Sequence, residues 1–143
     1  MTENIITDPV LGELTALDAF QHGRHFPAEG RDIMVAIETA EGLTPEALAQ
    51  ARRIVGALAD FTRRSQRFAA ESLLALRNET WRRDDAPALT VSEVELQLSL
   101  EACEVAADGT ATLYLADGDL FGGHSVAVYV GPEGDFVDAK LAG

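Results

Sequence analysis

The sequence has 143 residues, 47% apolar and 24% charged, and its 24 acidic and 11 basic residues give a net charge of −13. This length predicts one domain spanning residues 1–143, with enough apolar content for a packed core. The acidic balance opposes a general affinity for nucleic acid or anionic membranes, and a single cysteine, Cys103, excludes an internal disulfide and a zinc-thiolate cluster. We expect a cytoplasmic protein, because no run approaches the roughly 18 apolar residues of a membrane span and the first residues do not resemble a signal peptide.

The N-terminal third predicts short strands. Residues 8–15 are typical of a turn that leads into a strand, and residues 18–24 are polar. Ile33, Val35 and Ile37 then alternate with their neighbours as in a half-buried strand. His22 and His25 fall near Gly23 and Pro27, which predict a loop or hairpin there.

The middle of the chain predicts two helices. Thr44 and Pro45 are a favourable N-cap and first helical residue. Apolar residues then recur at spacings of three and four as far as residue 82. Because one helix of that length is unusual, we expect a break near residues 62–66.

The C-terminal region predicts a sheet. Thr90 and Glu93 have the spacing of a capping box, and the alternation from Val94 to Leu100 then favours a strand that ends near residue 105. Turn sequences at 108–109 and 131–134 separate three further strands over residues 112–115, 125–130 and 136–141, and short connections imply antiparallel neighbours. The predicted fold class is therefore α+β, with short N-terminal strands, two central helices and a C-terminal antiparallel β-meander packed on the helices.

Charge is segregated along the chain. Residues 1–43 carry 8 acidic and 2 basic residues (net −6), residues 44–83 carry 4 acidic residues and 8 arginines (net +4), and residues 84–143 carry 12 acidic residues and one lysine (net −11). The arginines lack the interleaved aromatic residues of a nucleic-acid face. They are more typical of a solvated helix face that pairs with nearby acids.

Four segments together resemble a bacterial domain-of-unknown-function (DUF) family. They are residues 8–13 (D-P-V-L-G-E), 73–81, 117–125 (D-G-D-L-F-G-G-H-S) and 138–143. Gly122 stands where a tryptophan is common in the family. The resemblance implies no reaction, because the family has no assigned one. The family's C-terminal region is similar to that of several small bacterial proteins proposed to be toxin-neutralising immunity proteins, which is a likeness of sequence only.

The loop at 117–125 holds the candidate catalytic residues. Asp117, Asp119 and His124 combine two carboxylates with an imidazole, so an acid–base pair is one interpretation. A structural role is the favoured interpretation, with His124 partly buried and hydrogen-bonded to a loop acid or a backbone group. Phe121 and Gly122 interrupt the ligand order of a calcium loop, so calcium binding is not expected.

No metal site or cofactor is predicted. His22, His25 and His124 could supply three imidazoles, but the first two need not converge in a loop. Ser125 lies next to His124, and adjacent strand residues point to opposite faces, which disfavours a nucleophile pair.

The function that we expect is binding rather than catalysis. An acidic C-terminal segment without a complete catalytic constellation favours a non-catalytic binding protein for a basic macromolecule, immunity-protein-like, with no nucleic acid or membrane partner. The candidate binding residues are Glu93, Glu95, Glu101 and Glu104. The alternative is an enzyme that uses His124 with Asp117 or Asp119.

Overall fold

The computed structural model describes residues 5–142 as an α+β fold with one eight-stranded sheet and three helices. The strands neighbour one another in chain order. The strands are β1 (Ile5–Asp8), β2 (Gly12–Ala16), β3 (Gln21–Ala28), β4 (Arg31–Glu38), β5 (Ser99–Val105), β6 (Ala111–Ala116), β7 (Ser125–Val130) and β8 (Phe136–Ala142). The helices are α1 (Pro45–Gly56), α2 (Leu58–Glu79) and α3 (Val91–Gln97). Among the described residues, no helix is long and apolar enough to cross a membrane.

The N-terminal strands β1 to β4 form successive antiparallel hairpins, four strands where the sequence predicts two. Of the loop or hairpin expected around His22 and His25, the structure has the hairpin, because both residues lie in β3, which pairs along its length with β4. The β3–β4 turn explains this pairing. Glu29 and Gly30 both have positive φ angles, 53° and 76°, which is the geometry of a two-residue turn that matches the twist of the strands.

The centre of the sheet is a parallel pair. β4 and β5 run side by side in the register Met34 with Ala102 through Ile37 with Val105, whereas the other strand pairs are antiparallel. A parallel pair needs a long crossover, and residues 39–98 provide it with the three helices. The helices therefore join two antiparallel halves, β1–β4 and β5–β8, into one sheet.

The two central helices form as predicted, but the break between them lies elsewhere. Thr44 caps α1 by accepting a hydrogen bond from the Ala47 amide. The expected break at residues 62–66 is wrong, since α1 ends at Gly56 and Ala57 adopts a non-helical conformation before α2 begins. Glycine has the lowest helix propensity apart from proline, so Gly56 is a favourable place for the chain to bend.

The C-terminal meander is confirmed. α3 carries both hydrogen bonds of the capping box between Thr90 and Glu93. The strand expected from Val94 is wrong in its first part, because the capped helix continues to Gln97 and β5 begins only at Ser99. β5 to β8 pair antiparallel in succession, with an irregularity of register near Leu100 in β5 and another between Tyr129 and Val130 in β7. α2 packs on β5, β7 and β8.

Alternation along the strands gives the sheet two different faces. The face toward the helices is apolar, and residues such as Val35, Cys103 and Val128 are fully buried in the core. The opposite face, here called the open face, carries Glu104 and Tyr114 on β5 and β6 and is covered by no other element of the described chain.

An ion pair between the buried Asp8 and the partly exposed Arg52 connects the first hairpin to the helical layer. The Asp8 carboxylate accepts hydrogen bonds from the backbone amides of Val10 and Leu11, both at 2.9 Å, and from the Arg52 guanidinium at 2.5 Å. The hydrogen bond from Arg52, more than the two backbone hydrogen bonds, lowers the pKa of Asp8 from 3.8 to about 2.

Replacing this carboxylate should destabilise the fold. Asp8→Ala leaves the buried Leu11 amide without an acceptor, so we expect the free energy of unfolding to fall by about 2 kcal/mol in urea denaturation at pH 7. Because the pKa is lowered in the folded state, the contribution of Asp8 is complete above about pH 5 and is lost as the pH falls toward 2.

Glu71→Ala is the control, because Glu71 lies in the middle of α2 and forms an exposed ion pair with Arg67 there. It should change stability by less than about 0.5 kcal/mol. Equal losses in the two variants would contradict a structural role for the Asp8 pair.

Candidate functional site

The loop after β6 is organised by one buried carboxylate. Asp117 Oδ1 accepts a hydrogen bond from the Asp119 amide at 3.0 Å, and Oδ2 accepts from the amides of Phe121 and Gly123 at 3.0 and 2.9 Å. Both oxygens are thus occupied by backbone donors of the same loop. Asp119, the other candidate acid, is exposed at a positive φ of 66°.

His124 is held by the backbone and by aromatic contacts. Its Nδ1 lies 2.7 Å from the Phe121 carbonyl oxygen, and its ring centroid lies 5.4 Å from that of Trp81. No hydrogen bond joins His124 to Asp117 or Asp119 in the part of the chain that the structure describes. The partly buried imidazole thus has a backbone partner, as the structural interpretation predicts.

Gly122 is positioned against the same aromatic side chain. Its φ is 67°, and a Cβ atom there would lie 3.1 Å from the Trp81 ring. A shallow cavity of about 240 Å³ lies beside this glycine, lined also by His124 and Ser125. This cavity could hold a small ligand beside His124. No acidic side chain of the described residues is hydrogen-bonded to the His124 imidazole.

The histidines of β3 lie on opposite faces of the sheet. His22 is buried, with its Nδ1 2.6 Å from Thr39 Oγ1, whereas His25 is exposed three residues later. Within residues 5–142 the structure contains no group of three His, Cys, Asp or Glu side chains suited to a metal.

The four candidate binding acids occupy two parts of the fold. Glu93 and Glu95 lie on α3, where Glu93 completes the capping box and Glu95 pairs with Arg67 at 3.1 Å. Glu101 and Glu104 lie on β5 and are exposed. The structure therefore does not bring the four together.

Three acidic side chains line a groove at the ends of β4 and β5. It measures about 380 Å³, and we call it the acidic groove. Its lining includes the carboxylates of Asp18, Glu38 and Glu104, together with Phe20 and Gln21. Asp18 comes from the β2–β3 turn, Glu38 from the end of β4 and Glu104 from β5, so the parallel pairing brings them together.

The three carboxylates are hydrogen-bonded only to neutral groups. Asp18 Oδ1 accepts from the Phe20 and Gln21 amides at 2.7 and 2.8 Å, Glu38 from the Ala107 amide at 3.2 Å, and Glu104 from the Gln21 side-chain amide at 2.9 Å. None of them forms an ion pair with any residue in the described part of the chain. The groove therefore carries three formal negative charges without a counter-cation.

The phenol of Tyr114 on the open face is a weaker acid than usual. Partial burial, followed by hydrogen-bonding and electrostatic effects of the Glu104 carboxylate, raises its pKa to about 12. The phenol is therefore protonated and neutral at pH 7.

The helical layer differs because half of its eight arginines are paired. Arg52 binds Asp8, Arg63 binds Glu29 and Arg64 binds Asp60. Arg67 contacts both Glu71 and Glu95. Within the described residues, the other four arginines form no ion pair, so the layer stays positively charged.

A family model described as "Uncharacterized protein conserved in bacteria (DUF2262)" matches residues 8–141. The chain belongs to this family. The expectation of a bacterial DUF family is confirmed, and the DUF2262 match includes the acidic groove and the 117–125 loop. Comparisons of this DUF2262 protein with curated proteins and with solved structures gave no match.

Sequence reasoning missed the N-terminal half of the acidic groove. Asp18 and Glu38 lie far from Glu104 in the chain and meet it only through the strand order. A local signal existed at Asp18, because aspartate side chains in turns often accept a hydrogen bond from the backbone amide two residues on, as Asp18 does from Phe20.

The Asp117 carboxylate gives a direct test of loop stability. Asp117→Asn places an amide nitrogen where backbone N–H groups now donate, so we expect the free energy of unfolding to fall by about 2 kcal/mol in urea denaturation. Asp119→Asn is the matched control, since it makes the same chemical change at an exposed position and asparagine tolerates a positive φ. Similar stability of both variants would show that Asp117 does not organise the loop.

Proposed function

We propose that this protein is a non-catalytic cytoplasmic binding protein that docks a basic macromolecule, in the manner of an immunity protein, through the acidic groove on its open face. The observation that carries the proposal is the set of three carboxylates, Asp18, Glu38 and Glu104, that line the groove and form no ion pair with any described lysine or arginine. A lysine or arginine of a partner would supply the missing charge.

The groove shape strengthens this attraction. Charges of one sign that line a concave surface concentrate the field and raise the rate of encounter with an oppositely charged partner. At about 0.15 M salt the screening length is about 8 Å, so contacts inside the groove keep their strength while distant charges lose theirs. Binding in the groove therefore depends on these carboxylates more than on net charge.

Phe20 gives the groove an apolar contact. Its side chain is 64% exposed at the rim, among the most exposed large apolar side chains of the described residues. Aromatic side chains at protein interfaces contribute a large share of binding energy, and an aromatic ring also attracts an arginine or lysine. Phe20 and the carboxylates together fit a partner segment that carries a cationic side chain beside an apolar one.

The rest of the surface favours one orientation of the partner. Residues 44–83, which include α1 and α2, carry a net charge of +4 and offer a basic partner no net attraction. Of the four acids that the sequence singles out, Glu101 and Glu104 form no ion pair with the described residues, whereas Glu95 pairs with Arg67 of α2 and Glu93 caps α3 through Thr90. Charge reversal should therefore slow association most at Glu104.

The enzyme alternative has less geometric support. An acid–base pair of His124 with Asp117 would need the carboxylate that three backbone amides already occupy. Asp119 is exposed and makes no contact with the imidazole.

Neutralising the groove tests the proposal. A basic partner is captured from the source bacterium with the wild-type protein, and its association rate is then measured by stopped flow. We expect the triple variant Asp18→Asn, Glu38→Gln, Glu104→Gln to lower that rate about tenfold, with a smaller change in dissociation.

The control variant is Glu79→Gln, Asp84→Asn, Asp85→Asn, which removes the same charge at exposed positions around the end of α2. It should change the rate by less than about twofold, because distant surface charges are screened. Equal effects of the two triple variants, or no saturable basic partner at all, would contradict the proposal and leave solubility as the reason for the acidic surface.

A further inference from the structure

A second pocket lies at the opposite end of the parallel strand pair from the acidic groove. It measures about 350 Å³ and is bounded by the β3–β4 hairpin, by α2 and by the segment that joins α3 to β5. Its deepest lining residues are Ile33, Leu98 and Leu100, each about 1% exposed. The pocket therefore has an apolar floor, and we call it the Arg31 pocket after the charged residue at its rim.

Two side chains at the rim have hydrogen-bond donors without a partner among the described residues. Arg31 is exposed and forms no ion pair with the described residues, and the hydroxyl of Ser99 donates no hydrogen bond to them. The other rim charges cancel, since Arg63 pairs with Glu29 at 3.2 Å. The Arg31 pocket thus carries a net charge of +1 on a protein whose net charge is −13.

The polar groups on the α2 wall are already satisfied. Thr62 donates to the Leu58 carbonyl at 2.7 Å, and the Gln66 side chain donates to the Leu98 carbonyl at 2.6 Å. These two side chains therefore line the pocket without needing a hydrogen bond from a ligand. The free donors therefore concentrate at Arg31 and Ser99.

One wall of the pocket is an exposed leucine. Leu96 on α3 is 84% exposed, the highest value among the large apolar side chains described. Covering apolar surface of this kind is favourable by about 25 cal/mol for each Å² removed from water. Leu96 and the apolar floor together offer two contacts for an apolar chain.

We propose that the Arg31 pocket binds a small monocarboxylate with an apolar chain of about eight carbons, its carboxylate at Arg31 and Ser99 and its chain between Leu96 and the floor. The pocket volume of about 350 Å³ corresponds to about eleven groups of water size, at roughly 30 Å³ each. Octanoate, with ten non-hydrogen atoms, fits that volume. The proposal is independent of the acidic groove and of any basic partner.

Octanoate titration followed by amide NMR shifts tests the site on the full chain. We expect saturable shifts that centre on Leu96, Leu98 and Ser99. Hexanoate lacks two methylene groups and should bind roughly 15-fold more weakly, at about 0.8 kcal/mol for each methylene. Octylamine, which has the same chain with a positive charge, should not bind at this site.

Arg31→Gln is the decisive variant, and it should weaken octanoate binding about tenfold because a charge-assisted hydrogen bond is lost. Arg31→Lys, which keeps the charge, should retain most of the affinity. Arg82→Gln, the same change at an exposed arginine outside the pocket, should leave affinity within about twofold. Each variant is first checked for an unchanged spectrum elsewhere in the protein.

Three outcomes would overturn the proposal. They are shifts that spread over the surface without saturating, shifts that centre on the acidic groove, and equal losses of affinity in Arg31→Gln and Arg82→Gln. Loss of basic-partner binding in the groove variants bears only on the proposed function, so the failures of the two proposals are distinguishable.

Discussion

The parallel pairing of β4 with β5 is the constraint on which the rest of this structure depends. Two antiparallel halves meet there, and a parallel joint can be made only if the chain crosses from one end of the sheet to the other, which residues 39–98 do with three helices. Both pockets follow from this joint. The acidic groove lies where the two strands end, at Glu38 and Glu104, and the Arg31 pocket lies where they begin, at Arg31 and Ser99.

The two faces of the sheet differ in whether their charged side chains form ion pairs. The helices that cover one face bring arginines such as Arg52 and Arg67 within reach of acids from the sheet and from α3, and these pairs neutralise part of the positive charge of the helical layer. No described helix brings an arginine to the other face, so Glu38 and Glu104, where β4 and β5 end, have only neutral hydrogen-bond partners. These unpaired carboxylates make this part of the open face negatively charged.

Local patterns in the sequence predicted the elements, whereas the long-range pairing required the structure. The capping box at Thr90 and the alternation in β7 depend on neighbours within a few residues, and both were predicted correctly. β3 was missed because Gly23 and Pro27 weaken a strand locally, yet pairing with the apolar β4 holds it in the sheet. The acidic groove was missed for a related reason, since strand order rather than sequence distance brings Asp18 to Glu104.

Native-state amide hydrogen exchange tests the central claim that the β4–β5 joint makes the two halves one cooperative unit. The account predicts that the amides of Val35, Ala36 and Cys103 exchange only by global unfolding, with the same free energy as that measured by urea, and that β3 and β6 share that value. Protection that persists in β5–β8 while β1–β4 exchange through a separate opening of lower free energy would contradict it.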